Sequence, residues 1–184
     1  MCGRFYVDDE MANEMKKIFV KIDQEKSIPK KGEVCPSEQA LIVCQKTEAN
    51  MLMSKIASFG YKNPYQKNAL YLNAKCETIT GKPTFCHDFY NSRCIIPARG
   101  YFEWNKKDKY YFRNSNQLLL MAGICRKQEF VILTTEANDN VIDIHDRMPL
   151  LLTPDEAYQW IVDLNQATQL LRKQSEIEFW EKIS

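Results

Sequence analysis

The sequence predicts an α+β domain, mainly antiparallel strands forming a closed or nearly closed barrel-like sheet, with peripheral helices. Two observations carry this expectation. Between residues 93 and 135 the chain is a succession of apolar, β-branched and aromatic runs separated by short polar turns, which is the signature of consecutive paired strands. Helical periodicity is confined to two stretches, after Asp8 and after Thr153. With 184 residues and no internal repeat or low-complexity tract, one domain spanning 1–184 is expected.

Residues 2–7 read as a short strand. Asp8-Asp9-Glu10 supplies an N-cap and a negative first turn, and Met11, Met15, Ile18, Phe19 and Ile22 then recur at helical spacing to about Asp23. A polar loop over 27–36 leads to a strand at 40–44, whose hairpin partner is 51–59 across the polar turn 45–50. From Gly60 to about Tyr90 regular patterning is lost. Tyr61, Tyr65, Tyr71, Phe85, Phe89 and Tyr90 are interleaved there with Lys62, Lys67, Lys75 and Lys82. Such a loop either stacks bases and holds phosphates or is pinned to the core by its rings, and both readings stand. Strands follow at 93–97, 100–104, 110–113, 118–124, 130–135 and 148–152. Thr153-Pro154-Asp155-Glu156 is a capping box with Pro at the first helical position; that helix runs to about Val162, and a second runs from about Gln166 to Lys173.

The formal net charge of +1 means that a nucleic-acid partner would need a local basic face rather than an overall field. No secretion signal is present, and the longest apolar runs, such as 118–124, are too short to span a bilayer, so a cytoplasmic protein without a membrane partner is expected. Seven cysteines without a C-x-x-C pair, and two histidines of which only His87 adjoins a cysteine, argue against a metal site. Most of the thiols read as small buried hydrophobes.

Four short motifs carry chemistry. Met1-Cys2-Gly3-Arg4-Phe5 places a cysteine where trimming of Met1 exposes a free α-amine and a thiol on one residue. The amine can condense with an aldehyde to an imine, and the thiol can then close a thiazolidine ring. Unperturbed, the two groups titrate near roughly 8 and 8.5. The alternative is a small buried residue at a strand start. Leu72-Asn73-Ala74-Lys75-Cys76-Glu77 puts an asparagine in the irregular stretch. In Gly100-Tyr101-Phe102-Glu103-Trp104 strand alternation sets Glu103 and Tyr101 opposite Phe102 and Trp104, so Glu103 is either a solvent-face charge or a desolvated acid with a raised pKa. In Asp143-Ile144-His145-Asp146-Arg147-Met148-Pro149 the flanking acids would orient the ring of His145 and raise its pKa. Singly, Asn73 is a turn former, Glu103 a surface charge and His145 a loop histidine.

In this order and spacing the four motifs resemble the SRAP family (SOS response-associated peptidase), whose members are abasic-site processing proteins. The resemblance implies that Cys2 is a nucleophile that cross-links to the ring-opened aldehyde of an abasic site in single-stranded DNA, giving a thiazolidine. It implies that Asn73 holds the opened sugar and the N-terminal residue and that Glu103 moves protons on the amine and the sugar oxygen. It further implies that His145 protonates the opened sugar and serves reversal of the cross-link. Arg4, Lys75 and Arg147 fall at DNA-binding positions; no metal or other cofactor is implied, and a monomer is expected, nucleoid-associated when bound to DNA. The peptidase name refers to self-removal of Met1, and β-elimination through the imine, a lyase activity, is chemically accessible. Lys75 stands where arginine is frequent, and Glu33 stands where asparagine is usual, putting a negative charge where it weakens local packing or DNA approach. Two rivals remain. One is an N-terminal-nucleophile amidohydrolase, since class II glutamine amidotransferases also begin Met-Cys-Gly but use an Asn-Gly pair absent from this sequence. The other is a non-covalent single-strand-binding module.

Overall fold

In the computed structural model, which describes residues 2–19, 22–23, 29, 31–46, 51–115 and 117–183, the chain opens with β1 (Arg4–Val7) and α1 (Met11–Ile18). Next come β2 (Ile22–Asp23), β3 (Gly32–Val34), β4 (Gln39–Gln45), β5 (Leu52–Phe59), β6 (Tyr61–Lys62), β7 (Leu70–Tyr71) and β8 (Asn73–Lys75). A 3-10 helix (Cys76–Gly81) and α2 (Cys86–Asn91) lead into β9 (Arg93–Ala98), β10 (Gly100–Asn105), β11 (Asp108–Arg113), β12 (Leu119–Arg126) and β13 (Glu129–Glu136). After a loop come β14 (Arg147–Pro149), β15 (Leu151–Leu152), α3 (Pro154–Val162), α4 (Leu164–Leu170) and β16 (Phe179–Ile183).

Five strands form one antiparallel sheet in the order β16-β11-β10-β1-β3. A larger sheet runs β14-β13-β12-β9-β4-β5-β2, with β15 on β12 and β8 on β13. A parallel pairing of β13 with β5, Phe130 opposite Phe59, brings this sheet round into a ring. This is the mostly antiparallel, helix-poor single domain that the strand pattern predicts.

The ring explains why its strands read as continuous apolar runs. Along β12, Leu119, Met121 and Cys125 join one core cluster, with Phe5, Phe59, Phe130 and Tyr101, while Leu120, Ala122 and Ile124 join a second under the helices. Both faces are buried, so neither can be polar. Trp160 fixes α3 to the outer face, its indole N–H donating to the carbonyls of Cys94 and Gly123 at 3.1 and 3.2 Å. Buried Arg93 donates to the carbonyls of Phe89, Tyr90, Trp160 and Ile161, satisfying the C-terminal ends of α2 and α3 with one cation. The capping box of α3 is formed as read, with Thr153 Oγ1 accepting from Glu156 N–H and the Glu156 carboxylate accepting from Thr153 N–H.

Several expectations are corrected. The first helix ends at Ile18 rather than near Asp23, because Phe19 leaves helical geometry and Ile22–Asp23 instead pair in parallel with Leu52–Met53. Asp8 supplies the start signal, its Oδ1 accepting from the N–H groups of Glu10 and Met11. Within the 27–36 loop, Gly32–Val34 is strand, held by pairing with β1. The single strand at 148–152 is two short ones, Arg147–Pro149 on β13 and Leu151–Leu152 on β12, and Leu150 between them donates to the Leu133 carbonyl of β13 while its own carbonyl accepts from Ala122 of β12. The 60–90 stretch is a set of short elements, and Tyr61, Phe85 and Phe89 are buried; the rings of Tyr61 and Tyr71 both contact Phe85. Tyr65 and Tyr90 remain exposed. Met1 and part of the 45–50 turn lie outside the described residues.

Candidate active site

The β1–β10 register places Arg4 opposite Phe102 and Phe5 opposite Tyr101, so the chain start runs alongside the strand that carries Glu103. Cys2 is fully buried there, and its thiol donates to the Arg4 carbonyl at 3.8 Å. Burial, with the nearby Glu103 charge, pushes the thiol well above its ordinary range, so it rests protonated. On the same inward face, Glu103 is 3% exposed, and burial raises its carboxyl from an ordinary 4.5 to about 7, with the charge of Asp146 acting in the same direction. Of the two readings of Glu103, the desolvated acid is the observed one. A carboxyl poised near neutrality can both accept and deliver a proton.

Asn73 comes from a different sheet region. Its strand β8 pairs in parallel with β13, Asn73 opposite Ile132, and its side-chain amide donates to the Cys2 carbonyl at 3.1 Å and to the Ile132 carbonyl at 3.5 Å. Its Oδ1 is buried and has no hydrogen-bond partner among the described residues. Tyr101, one position in from Glu103 on the same face, also has a buried hydroxyl without such a partner, and burial, with Cys2 and Glu103 nearby, raises its pKa. Buried polar atoms without partners are uncommon in native proteins, and here two belong to residues beside Cys2. Motif reading passes over Tyr101, although alternation with Glu103 was the available signal.

His145 sits in the loop before β14. Asn105, the last residue of β10, ties that loop down by donating to the Asp143 carbonyl at 2.9 Å. The Nδ1 of His145 accepts from the Arg147 N–H at 3.0 Å and lies 2.9 Å from Asp146 Oδ1. One nitrogen cannot serve both partners in one protonation state. The neutral ring takes the amide proton at Nδ1 and carries its own proton on Nε2, whereas the imidazolium donates to Asp146. The expected raised pKa is corrected: burial outweighs Asp146 and lowers it, favouring the neutral ring.

Arg147 is turned inward. It is 7% exposed, and its guanidinium grips Glu77 through two bonds of 2.8 and 3.0 Å and donates to the Thr134 carbonyl at 2.6 Å. Arg147 thereby locks the Asn73–Glu77 motif to the His145 motif. Arg4 and Lys75, by contrast, reach solvent; the Arg4 guanidinium lies over the Trp104 ring at 5.2 Å. Cys2, Asn73 and Glu103 therefore converge, the His145 loop is fastened to the end of the Glu103 strand, and Arg4 and Lys75 form cationic edges. A cleft of about 610 Å³ between α1 and the Leu151–Pro154 segment contains none of these residues. Among the described residues no cluster of His, Cys, Asp and Glu has metal-binding geometry, and no helix is long and apolar enough to cross a membrane.

A family model described as SOS response associated peptidase (SRAP) matches residues 1–182. The chain is 32% identical over 197 residues to "Abasic site processing protein YoaM" of Bacillus subtilis (strain 168), covering 94% of this chain and 84% of the relative. To "Abasic site processing protein YedK" of Escherichia coli (strain K12) it is 29% identical, covering 88% and 79%. The crystal structure of a protein from Bacteroides thetaiotaomicron superposes with a TM-score of 0.80 at 19% identity, covering all of this chain and 92% of that one.

Proposed function

The chain belongs to the SOS response associated peptidase family, and from that premise we propose that it captures abasic sites in single-stranded DNA as a covalent thiazolidine through Cys2. The observation that carries the reading is the convergence of Asn73 and Glu103, from separate sheets, on a residue next to the chain start. A purely structural cysteine there would need neither an amide on its carbonyl nor a carboxyl desolvated beside it.

Removal of Met1 leaves the α-amine on Cys2. That amine adds to the C1′ aldehyde of the opened sugar, and loss of water gives an imine. The thiol then adds to the imine carbon, its proton passing to the nitrogen, and the five-membered ring closes. Glu103, with a pKa of about 7, takes the proton from the ammonium and returns it to the departing hydroxyl, then serves as base for the otherwise protonated thiol. Asn73 holds the Cys2 carbonyl and keeps an acceptor oxygen for the sugar or the amine. Neutral His145 offers Nε2–H to the opened sugar, and its protonated form, reached at lower pH, would favour reversal. Self-removal of Met1 by the same thiol, and strand scission through the imine, are compatible side reactions. Arg4 and Lys75 supply backbone contacts.

Incubation of the purified protein with single-stranded DNA carrying one abasic site tests this. A heat-stable adduct is expected from the wild type and none from Cys2→Ala, with intact mass establishing that Met1 is gone. Equal behaviour of the two proteins would overturn the reading.

A further inference from the structure

One carboxylate on the outer face of the five-stranded sheet occupies two cations at once. Glu33 on β3 bonds Arg4 Nη1 at 3.4 Å and, through its other oxygen, the ammonium of Lys109 on β11. Lys109, more than Arg4, holds the Glu33 carboxyl below its ordinary pKa. The cations come from strands on either side of β10, and each is also seated on a ring of β10. Arg4 lies over Trp104 at 5.2 Å, and Lys109 lies over Phe102 at 4.1 Å and Trp104 at 5.7 Å. The rings fix the positions of the two charges without the carboxylate. Glu33 therefore contributes neutralisation rather than placement. All three side chains reach solvent, at 43%, 34% and 22% exposure for Arg4, Glu33 and Lys109. The cluster begins two residues from Cys2.

We propose that Glu33 is an intramolecular stand-in for a DNA phosphate, occupying Arg4 and Lys109 until the backbone beside the lesion displaces it. This rests on the reading of the protein as a single-stranded DNA binder. A carboxylate and a phosphodiester both present two anionic oxygens to paired donors, so they compete for the same two cations. Displacement leaves Glu33 without its partners and offsets part of the phosphate's gain. Glu33 thus lowers affinity and salt sensitivity on intact strands, and leaves discrimination to the covalent step at Cys2. Lys109, absent from the motif residues, becomes a second phosphate contact.

The test uses Cys2→Ser as a non-cross-linking background and measures binding to intact single-stranded oligonucleotide between 50 and 200 mM salt. Adding Glu33→Gln should tighten binding about fivefold at low salt and steepen the log–log salt slope by about 0.7, the increment for one further neutralised phosphate on a single strand. Adding Lys109→Ala should erase that gain. Glu181→Gln, which removes the same charge from β16 of the same sheet, should change affinity less than twofold. Unchanged binding in Glu33→Gln, or an equal gain in Glu181→Gln, would overturn the proposal. No measurable binding of the intact strand at 50 mM salt by the Cys2→Ser protein or its variants would instead overturn the reading on which it rests.

Discussion

The side-chain amide of Asn73 donates to the main-chain carbonyl of Cys2 at 3.1 Å, joining residues 71 positions apart in sequence. β8 delivers the amide by pairing with β13, and β1 delivers the carbonyl by pairing with β10. The bond thus ties the two sheets together at the residue proposed as the nucleophile.

Asn73→Ala should therefore act on the reaction more than on the fold. Loss of one side-chain hydrogen bond costs about 1 kcal/mol of stability, read as a small fall in urea midpoint. The rate of adduct formation should drop about tenfold or more, because Cys2 loses its register against Glu103. Asn73→Asp should be worse in rate, since a carboxylate cannot donate to the Cys2 carbonyl. A normal time course in both variants would remove Asn73 from the site.

Glu103 makes a pH prediction with a definite sign. Its folded-state pKa of about 7 lies above the ordinary 4.5, so between those values the folded chain holds a proton that the unfolded chain has released. Stability contributed by this group is present below about pH 4.5 and is lost as pH rises through 7, a change on the order of 3 kcal/mol. Glu103→Gln should gain in Tm relative to the wild type on going from pH 5 to pH 8, while its adduct formation slows and loses the inflection near neutrality. His145, whose pKa is lowered by burial, works with the opposite sign below its ordinary 6.5, which is why the comparison must be with the variant at each pH. A Tm difference independent of pH would mean that the carboxyl is not desolvated.

Much of this was legible in the sequence, and the parts that were not share a cause. The strands between 93 and 135 announce themselves because each is long, apolar and followed by a short turn. Gly32–Val34 and Ile22–Asp23 are strand only because β1 and β5 offer them edges, and the ring-forming β13–β5 pairing is parallel and distant in sequence. Local pattern contains none of that. At the site, Asn73, Glu103 and His145 are individually bland in sequence and stand out only as a set with Cys2, through the family resemblance. The inward turn of Arg147 could not be read in advance, because a charge in a polar motif reads as solvent-facing until Glu77 and the Thr134 carbonyl are seen around it. The pKa direction of His145 failed for a similar reason: neighbouring acids are visible in sequence, whereas desolvation is not.

Arg147 then separates clamp from contact. Arg147→Lys keeps the charge but loses the two-pronged grip on Glu77, and should destabilise by about 1–2 kcal/mol; Arg147→Ala, which also abandons the Thr134 carbonyl, should cost about 2–3. These figures are moderated by the exposure of Glu77, whose side chain is 44% accessible. Arg147 holds the Glu77 carboxyl below its ordinary pKa, so the contribution is present above about pH 4.5 and lost as pH falls further. In a Cys2→Ser background the salt slope for single-stranded DNA should be unchanged in Arg147→Ala, but shallower by about 0.7 in Arg4→Ala or Lys75→Ala. A shallower slope in Arg147→Ala would make it a phosphate contact after all.

Tyr101 offers the sharpest separation of stability from function. Its ring stacks on Phe112, with centroids 4.9 Å apart and planes at 10°, so the aromatic packing does not need the hydroxyl. The hydroxyl is buried beside Cys2 and Glu103 and has no hydrogen-bond partner among the described residues. A buried hydroxyl without a partner costs about 1–3 kcal/mol, and Tyr101→Phe should recover part of that, raising Tm slightly at all pH values below the tyrosine range. A group kept at such a cost next to the proposed nucleophile is expected to meet its partner in the complex, where the opened sugar would supply oxygens to accept from it. Tyr101→Phe should accordingly form the abasic-site adduct several-fold more slowly while melting no lower than the wild type. A variant that loses stability would show that the hydroxyl already has a partner in the free protein, and one equally fast would show that it meets none in the complex.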